Sequence, residues 1–156
     1  MRVLLIDDHA LFRIGLQELL ERRGIDVIAI GDCLKGIETV ATERPDVVLL
    51  DMRMPDMTGI EVLSVLRKHY PDMPISMLTT SREESDVIEA LQNGAQGYLL
   101  KDMEPNELID ALQQIKQGQT VVAKELTGVL AKAVQGESQG SSPPTSSLDE
   151  LTPRER

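Results

Sequence analysis

Five short apolar runs, each cut off by a polar or turn-forming residue and followed by a helical pattern, constrain this chain more than any other feature. The runs are Val3-Leu4-Leu5-Ile6, Val27-Ile28-Ala29-Ile30, Val47-Val48-Leu49-Leu50, Ile75-Ser76-Met77-Leu78 and Tyr98-Leu99-Leu100. Strands with almost no polar alternation are buried on both faces, as in a parallel sheet covered by helices. Between the runs lie stripes at helical spacing: Phe12, Leu16, Leu19 and Leu20; Ile37, Val40 and Ala41; Val62, Val65 and Leu66; Val87, Ala90 and Leu91; Leu108, Ala111, Leu112 and Ile115. Gly24, Gly94 and Gly118 follow three of these stripes as C-terminal stops, and Pro45 and the Pro71–Pro74 region close two others. The alternation predicts repeated βαβ units, hence an α/β fold with a five-stranded parallel sheet and flanking helices.

The residues that end the runs are chemically distinctive. Asp7-Asp8 follows the first run, Asp51 the third, Thr79 the fourth and Lys101 the fifth. In an open parallel sheet, ligands bind in the crevice outside the carboxyl ends of the strands. Three carboxylates, a hydroxyl and an ammonium are therefore expected to face one another there. Thr80, next to Thr79, leaves the register of the hydroxyl open by one residue.

Composition removes several classes of function. A formal net charge of −10 gives this segment no basic surface with which to wrap nucleic acid by itself. The single Cys33 excludes an internal disulfide framework and fits a reducing compartment. No apolar run approaches membrane-spanning length, and Met1-Arg2 leads straight into a strand rather than a signal peptide. The expectation is a cytoplasmic protein with no membrane contact.

Beyond Gly118 the pattern changes. Leu126, Val129, Leu130, Ala133 and Val134 make one more apolar stripe, so an extra C-terminal amphipathic helix is expected within 119–135. Residues 136–150 are dominated by Gly, Ser, Gln and Pro and read as a flexible linker. Thr152-Pro153-Arg154-Glu155 is a capping box with Pro at the first helical position. It reads as the truncated start, over 151–156, of a second domain.

Leu5-Ile6-Asp7-Asp8-His9, Asp51-Met52-Arg53-Met54-Pro55 with Gly59, and Gly97-Tyr98-Leu99-Leu100-Lys101 together resemble the receiver domain of two-component response regulators, over residues 2–118. Lys101-Asp102-Met103-Glu104-Pro105 and Leu151-Thr152-Pro153-Arg154-Glu155-Arg156 resemble the NarL/LuxR (FixJ) branch, which carries a LuxR-type helix-turn-helix DNA-binding domain. Within that branch the similarity is to nitrate/nitrite regulators. Receivers at large usually place Pro after the lysine, commonly in a cis bond; Asp102 stands there, so no cis peptide is expected.

The resemblance implies a flavodoxin-like fold with strand order 2-1-3-4-5 and a receiver domain over 1–118. It makes Asp51 the phosphoacceptor, a carboxylate nucleophile fed by a sensor histidine kinase. It implies that Asp7, Asp8, Asp51 and the backbone carbonyl of Arg53 hold Mg²⁺ (or Mn²⁺), a cation suited to oxygen ligands. Without a cation or a proton, like charges about 4 Å apart repel by roughly 4 kcal/mol at an effective dielectric near 20. Lys101 contacts the phosphoryl oxygens, Thr79 donates its hydroxyl to them, and Tyr98 moves inward with Thr79 as the switch aromatic. Arg53 and Ser81 sit where the family tunes access of water. Phosphorylation then releases the attached domain for DNA binding and homodimerisation.

Other candidates have simpler readings. His9 and His69 have no Cys or His partner at zinc spacing and read as capping or solvated. Cys33 opens a helix as a structural residue, Met52, Met54 and Met57 pack under the loop after Asp51, and Glu83, Glu84 and Asp86 make an acidic first helical turn. An Asp-nucleophile phosphohydrolase would carry a second Asp two residues after the first, where this chain has Arg53. An unphosphorylated interaction module would lack the acceptor, an acidic residue or the lysine, and all are present.

Overall fold

The computed structural model describes residues 1–55 and 57–128. The linker over 136–150 and the helix start over 151–156 lie outside these residues, as does most of the 119–135 stripe. The elements run β1 (Arg2–Ile6), α1 (Ala10–Arg22), β2 (Asp26–Ile30), α2 (Cys33–Glu43), β3 (Val47–Leu50), α3 (Gly59–His69), β4 (Ile75–Thr79), α4 (Glu84–Gln92), β5 (Gly97–Leu100), α5 (Pro105–Lys116) and β6 (Val121–Val122). All strands pair in parallel in the order β2-β1-β3-β4-β5-β6. The expected order of five is present, and a sixth strand extends it. Val121 and Val122 were read as part of a helical extension; instead they pair with Gly97 and Tyr98. Two residues are too few to show the period of a strand, and only the open edge of β5 reveals the partner. Met1–Ala123 forms one compact unit, five residues longer than the boundary expected at 118, and residues 124–128, which begin a second unit, are helical.

Burial on both sheet faces explains the unbroken apolar runs. Val3, Leu5, Val47, Leu49, Leu78 and Leu99 form one core with Leu16 and Leu20 of α1 and Leu108, Ala111, Leu112 and Ile115 of α5. The alternate strand residues Leu4, Ile6, Val48, Leu50, Met77 and Tyr98 are fully buried on the other face, where α2, α3 and α4 bury Val40, Val62, Leu63, Leu66, Val87 and Ala90. Gly24, Gly94 and Gly118 have φ of 80°, 99° and 94°, a region open to glycine, so the helix stops read from sequence are real.

Two local devices set the strand ends. Ile6 pairs with Leu50, and the Asp51 amide donates to the Ile6 carbonyl at 3.0 Å, so Asp7 and Asp51 leave the sheet side by side. The loop after Asp51 is closed by a Thr58–Glu61 capping box at the start of α3. There Gly59 lies so close that a Cβ would run into the Asp51 carbonyl oxygen and Met77. We therefore expect Gly59→Ala to destabilise the fold by about 1–3 kcal/mol, the usual cost of overpacking. Chemical denaturation compared with Gly128→Ala, at an open position, checks this.

Candidate functional site

The crevice at the carboxyl ends of β1, β3, β4 and β5 holds every polar residue that the run ends pointed to. Asp7 and Asp51 are 0% and 4% exposed, and Thr79 is 3% exposed. Desolvated carboxylates require compensation, and Lys101 supplies it. Its Nζ lies 2.7 Å from Asp7 Oδ2 and 3.4 Å from Asp51 Oδ2, and 4.6 Å above the ring of Phe12. The backbone places it there: the Lys101 amide donates to the Thr79 carbonyl at 2.9 Å, carrying the β4–β5 pairing one residue past the strand end.

His9 departs from the reading made of it. It is the N-cap residue of α1, but its side chain caps nothing. Its ring turns over the carboxylates, with Nδ1 2.9 Å from Asp7 Oδ1, 3.4 Å from Asp8 Oδ1 and 3.3 Å from Asp51 Oδ2. The cause is local: the His9 amide donates to Asp7 Oδ1 at 2.8 Å, and this two-residue turn directs the side chain back toward the strand end. The Asp7-Asp8-His9 adjacency was the available signal, but it carries no metal-ligand spacing of its own. His69 stays apart at the end of α3, with Nδ1 2.9 Å from the Val65 carbonyl.

A ligand atom from each of Asp7, Asp8, His9 and Asp51 lies within 4.8 Å of all the others. Asp8 Oδ1 is a buried atom with no hydrogen-bond donor, and buried Asp51 Oδ2 has only the Lys101 ammonium at 3.4 Å. An oxygen-rich pocket with unsatisfied, negatively charged acceptors fits a hard divalent cation. Burial first, and then the Asp7 charge, push the Asp51 carboxyl above its ordinary value, while Lys101 and His9 pull in the other direction.

The mouth of the crevice carries charges of both signs and several hydroxyls, a cleft of about 760 Å³ lined by Asp51, Arg53, Thr79, Ser81, Arg82, Glu83 and Lys101 among others. Thr80 also lines it but is exposed, so Thr79 is the buried hydroxyl. Thr79 Oγ1 accepts from the Ser81 amide at 3.2 Å, and the Ser81 carbonyl accepts from the Tyr98 hydroxyl at 3.1 Å. Ser81 Oγ donates to Asp86 Oδ2 at 2.5 Å, and Arg53 Nη2 donates to the same oxygen at 3.0 Å. Asp86 therefore does more than charge a helical turn: it ties the loop after Asp51 to the loop after Thr79. Tyr98 is wholly buried, and that burial raises its hydroxyl above the ordinary phenol value.

Most of the sulfur residues pack as read, whereas Met57 is only half-buried. Cys33 is buried at the start of α2 with Sγ 3.6 Å from Met54 Sδ, and Met52 and Met54 are buried beneath the loop. No cis peptide bond occurs among the described residues, so the Lys101–Asp102 bond is trans. Among those residues no helix is long and apolar enough to cross a membrane.

This fold and site are those of a signalling switch, and the comparisons agree: the chain belongs to the response regulator receiver domain family, whose model matches residues 3–113. It is 40% identical to the nitrate/nitrite response regulator protein NarL of Escherichia coli strain K12, across 99% of this chain and 71% of that protein. Its backbone matches the crystal structure of a LuxR-family two-component response regulator from Aurantimonas sp. SI85-9A1 with a TM-score of 0.80, at 29% identity over 86% of this chain and 97% of that one. The chemotaxis protein CheY4 of Vibrio cholerae matches with a TM-score of 0.69, at 32% identity over 73% and 97% of the two chains. The chain is thus a receiver of the NarL/LuxR type, a group of transcriptional regulators generally controlled by sensor-kinase phosphorylation. Receivers transmit signals and bind Mg²⁺ at an acidic pocket.

The raised Asp51 pKa sets a sign for stability. The folded state binds this proton more tightly than the unfolded chain, so the contribution is complete below the ordinary value of 3.8 and is lost as pH rises through the raised one. At neutral pH an ionised Asp51 therefore opposes folding. Asp51→Asn should raise Tm in metal-free buffer at pH 7 by about 2–4 °C, the equivalent of roughly 1 kcal/mol at this chain length. The difference should vanish below the carboxylate range, as followed by circular dichroism melts.

Proposed function

We propose that Asp51 is the phosphoacceptor through which a sensor histidine kinase controls this receiver. The observation that carries the reading is one ammonium, Lys101 Nζ, reaching two buried carboxylates beside a cleft lined by Thr79. An Asp51 carboxylate oxygen attacks the phosphorus of a phosphohistidine. The P–O bond forms as the P–N bond breaks, and the bonding pair leaves with the imidazole. Asp7, Asp8, Asp51 and the Arg53 carbonyl hold Mg²⁺ or Mn²⁺, which when bound offsets the charge crowded between carboxylates and phosphoryl oxygens. Lys101 transfers its contact from Asp51 to the phosphoryl group, and Thr79 turns its hydroxyl toward the same oxygens.

Ser81 links the acceptor to the surface, because it bonds both Thr79 and Tyr98. Drawing Thr79 toward a phosphoryl group loosens the Ser81 segment, and Tyr98 shifts with it. The phosphoryl group can move this equilibrium only by interacting differently with the two states. Arg53 and Ser81 line the cleft beside Asp51, at the positions where the family tunes access of hydrolytic water. The chain catalyses its own phosphotransfer and slow dephosphorylation without turnover of a separate substrate. In the whole regulator, acting in the cytoplasm, the switch promotes homodimerisation and DNA binding by a LuxR-type domain whose start the 151–156 segment resembles, at nitrate/nitrite-responsive genes.

Intact mass spectrometry after incubation with Mg²⁺ and acetyl phosphate tests the acceptor. One phosphoryl adduct that needs Mg²⁺ and is absent from Asp51→Asn is expected. Failure of folded wild type to form it leaves an unphosphorylated interaction module, and continuous donor consumption without an adduct indicates a phosphohydrolase. Lys101→Ala should slow adduct formation by about 10²-fold, the scale of losing one charge-stabilising donor. Millimolar Mg²⁺ should raise the Tm of wild type and leave Asp51→Asn nearly unmoved.

A further inference from the structure

We propose that His9 is itself a ligand of the divalent cation, through Nδ1, and that it shifts the preference of the site from Mg²⁺ toward later first-row cations. The proposal rests on the acidic crevice being a cation site, as the proposed function has it. Adjacent ligands of an octahedral ion with bonds of about 2.1 Å lie about 3 Å apart. His9 Nδ1 stands 2.9, 3.3 and 3.4 Å from oxygens of Asp7, Asp51 and Asp8, the spacing of neighbouring ligands rather than of one hydrogen bond. A capping or solvated imidazole would approach one carboxylate or none.

Asp51 Oδ2, on a carboxylate 4% exposed, lies 3.3 Å from that ring nitrogen and meets the Lys101 ammonium only at 3.4 Å, outside good hydrogen-bond geometry. Three carboxylates meet there against the single ammonium of Lys101, so the cluster is short of positive charge where the four ligand atoms converge. Lys101 Nζ stands 2.7 Å from Asp7, 3.4 Å from Asp51 and 3.3 Å from His9 Nδ1, but Asp8 Oδ1 has no donor, so one ammonium does not serve the whole cluster. The His9 side chain is 62% exposed, so the ring has room to align its unprotonated nitrogen with an ion without disturbing the core.

An imidazole nitrogen changes which ion fits. Oxygen-only sites suit Mg²⁺, whereas a nitrogen ligand adds affinity along the series from Mn²⁺ to Co²⁺ and Ni²⁺. Cation identity would then influence how readily this receiver is charged for phosphotransfer.

Pulsed electron paramagnetic resonance of the Mn²⁺-loaded protein reads the ligand directly. Wild type and the His69→Ala control should show nitrogen-14 coupling from a bound imidazole, and His9→Ala and His9→Gln should lack it. Calorimetry should find Co²⁺ bound at least about tenfold more weakly by His9→Ala, with Mg²⁺ changed less than about twofold. Mn²⁺ bound by wild type without nitrogen coupling, no Mn²⁺ binding by wild type, or equal losses for Co²⁺ and Mg²⁺ overturns the proposal. Acetyl phosphate labelling in Mg²⁺ separates the two readings. An Asp51 adduct without nitrogen coupling removes only the His9 ligand, and nitrogen coupling without an adduct removes only the phosphoacceptor.

Discussion

The contact of Lys101 with Asp7 and Asp51 is the interaction on which the crevice depends. Two carboxylates, both almost fully desolvated, leave adjacent parallel strands at the same level, and an ammonium 2.7 Å from one and 3.4 Å from the other lets them remain there. Without it, desolvation and mutual repulsion would drive the ends of β1 and β3 apart or force a proton onto the cluster. Lys101 in turn is held by β5, by the Thr79 carbonyl and by the face of Phe12. The sheet order β2-β1-β3-β4-β5-β6 is therefore an electrostatic arrangement as well as a packing one, because it sets the cation's strand across the crevice from the acids.

Around this centre the loops are joined rather than independent. Gly59 lets α3 start against the Asp51 carbonyl, and Cys33 and Met54 fill the space under the same loop. Arg53, Asp86, Ser81 and Tyr98 form a chain of hydrogen bonds from the loop after β3, through the first turn of α4, to the middle of β5. A charge added at Asp51 would meet a network with two ends, one in the loop after β3 and one beneath the α4–β5 surface. Such a connected, discrete arrangement is what a switch requires, since packed interiors respond by changing state rather than by deforming smoothly.

The elements were legible where a single period dominated. The five strands match the apolar runs within a residue, and the five helices enclose the stripes, because strands buried on both faces and helices with one buried face leave unambiguous patterns. β6 was not legible: Val121-Val122 has no period, and its partner lies more than twenty residues earlier. Asp7, Asp8, Asp51, Thr79 and Lys101 could be collected from their positions at run ends, and all of them meet in the crevice or at its rim. His9 was read as solvated or capping, and it is exposed at the N-cap of α1, but the turn that folds its ring over the carboxylates was not legible. Asp86 looked like an ordinary helix-dipole charge, and Phe12 like one more core residue of α1.

The sequence by itself determined the α/β class, the strand and helix positions, the helix stops and the identity of the acidic, hydroxyl and cationic residues at the run ends. Those follow from local periodicity and backbone preferences, which act over a few residues. Only the tertiary structure decided that His9 Nδ1 converges with three carboxylates, that Thr79 rather than Thr80 is buried, and that Asp86 couples Arg53 to Ser81. It also decided that β5 has a sixth neighbour. The reach of His9 to Asp51, the Arg53–Asp86–Ser81 link and the β5–β6 pairing join residues far apart in sequence, and their distances are fixed by strand register and loop closure, which no local pattern in the chain encodes.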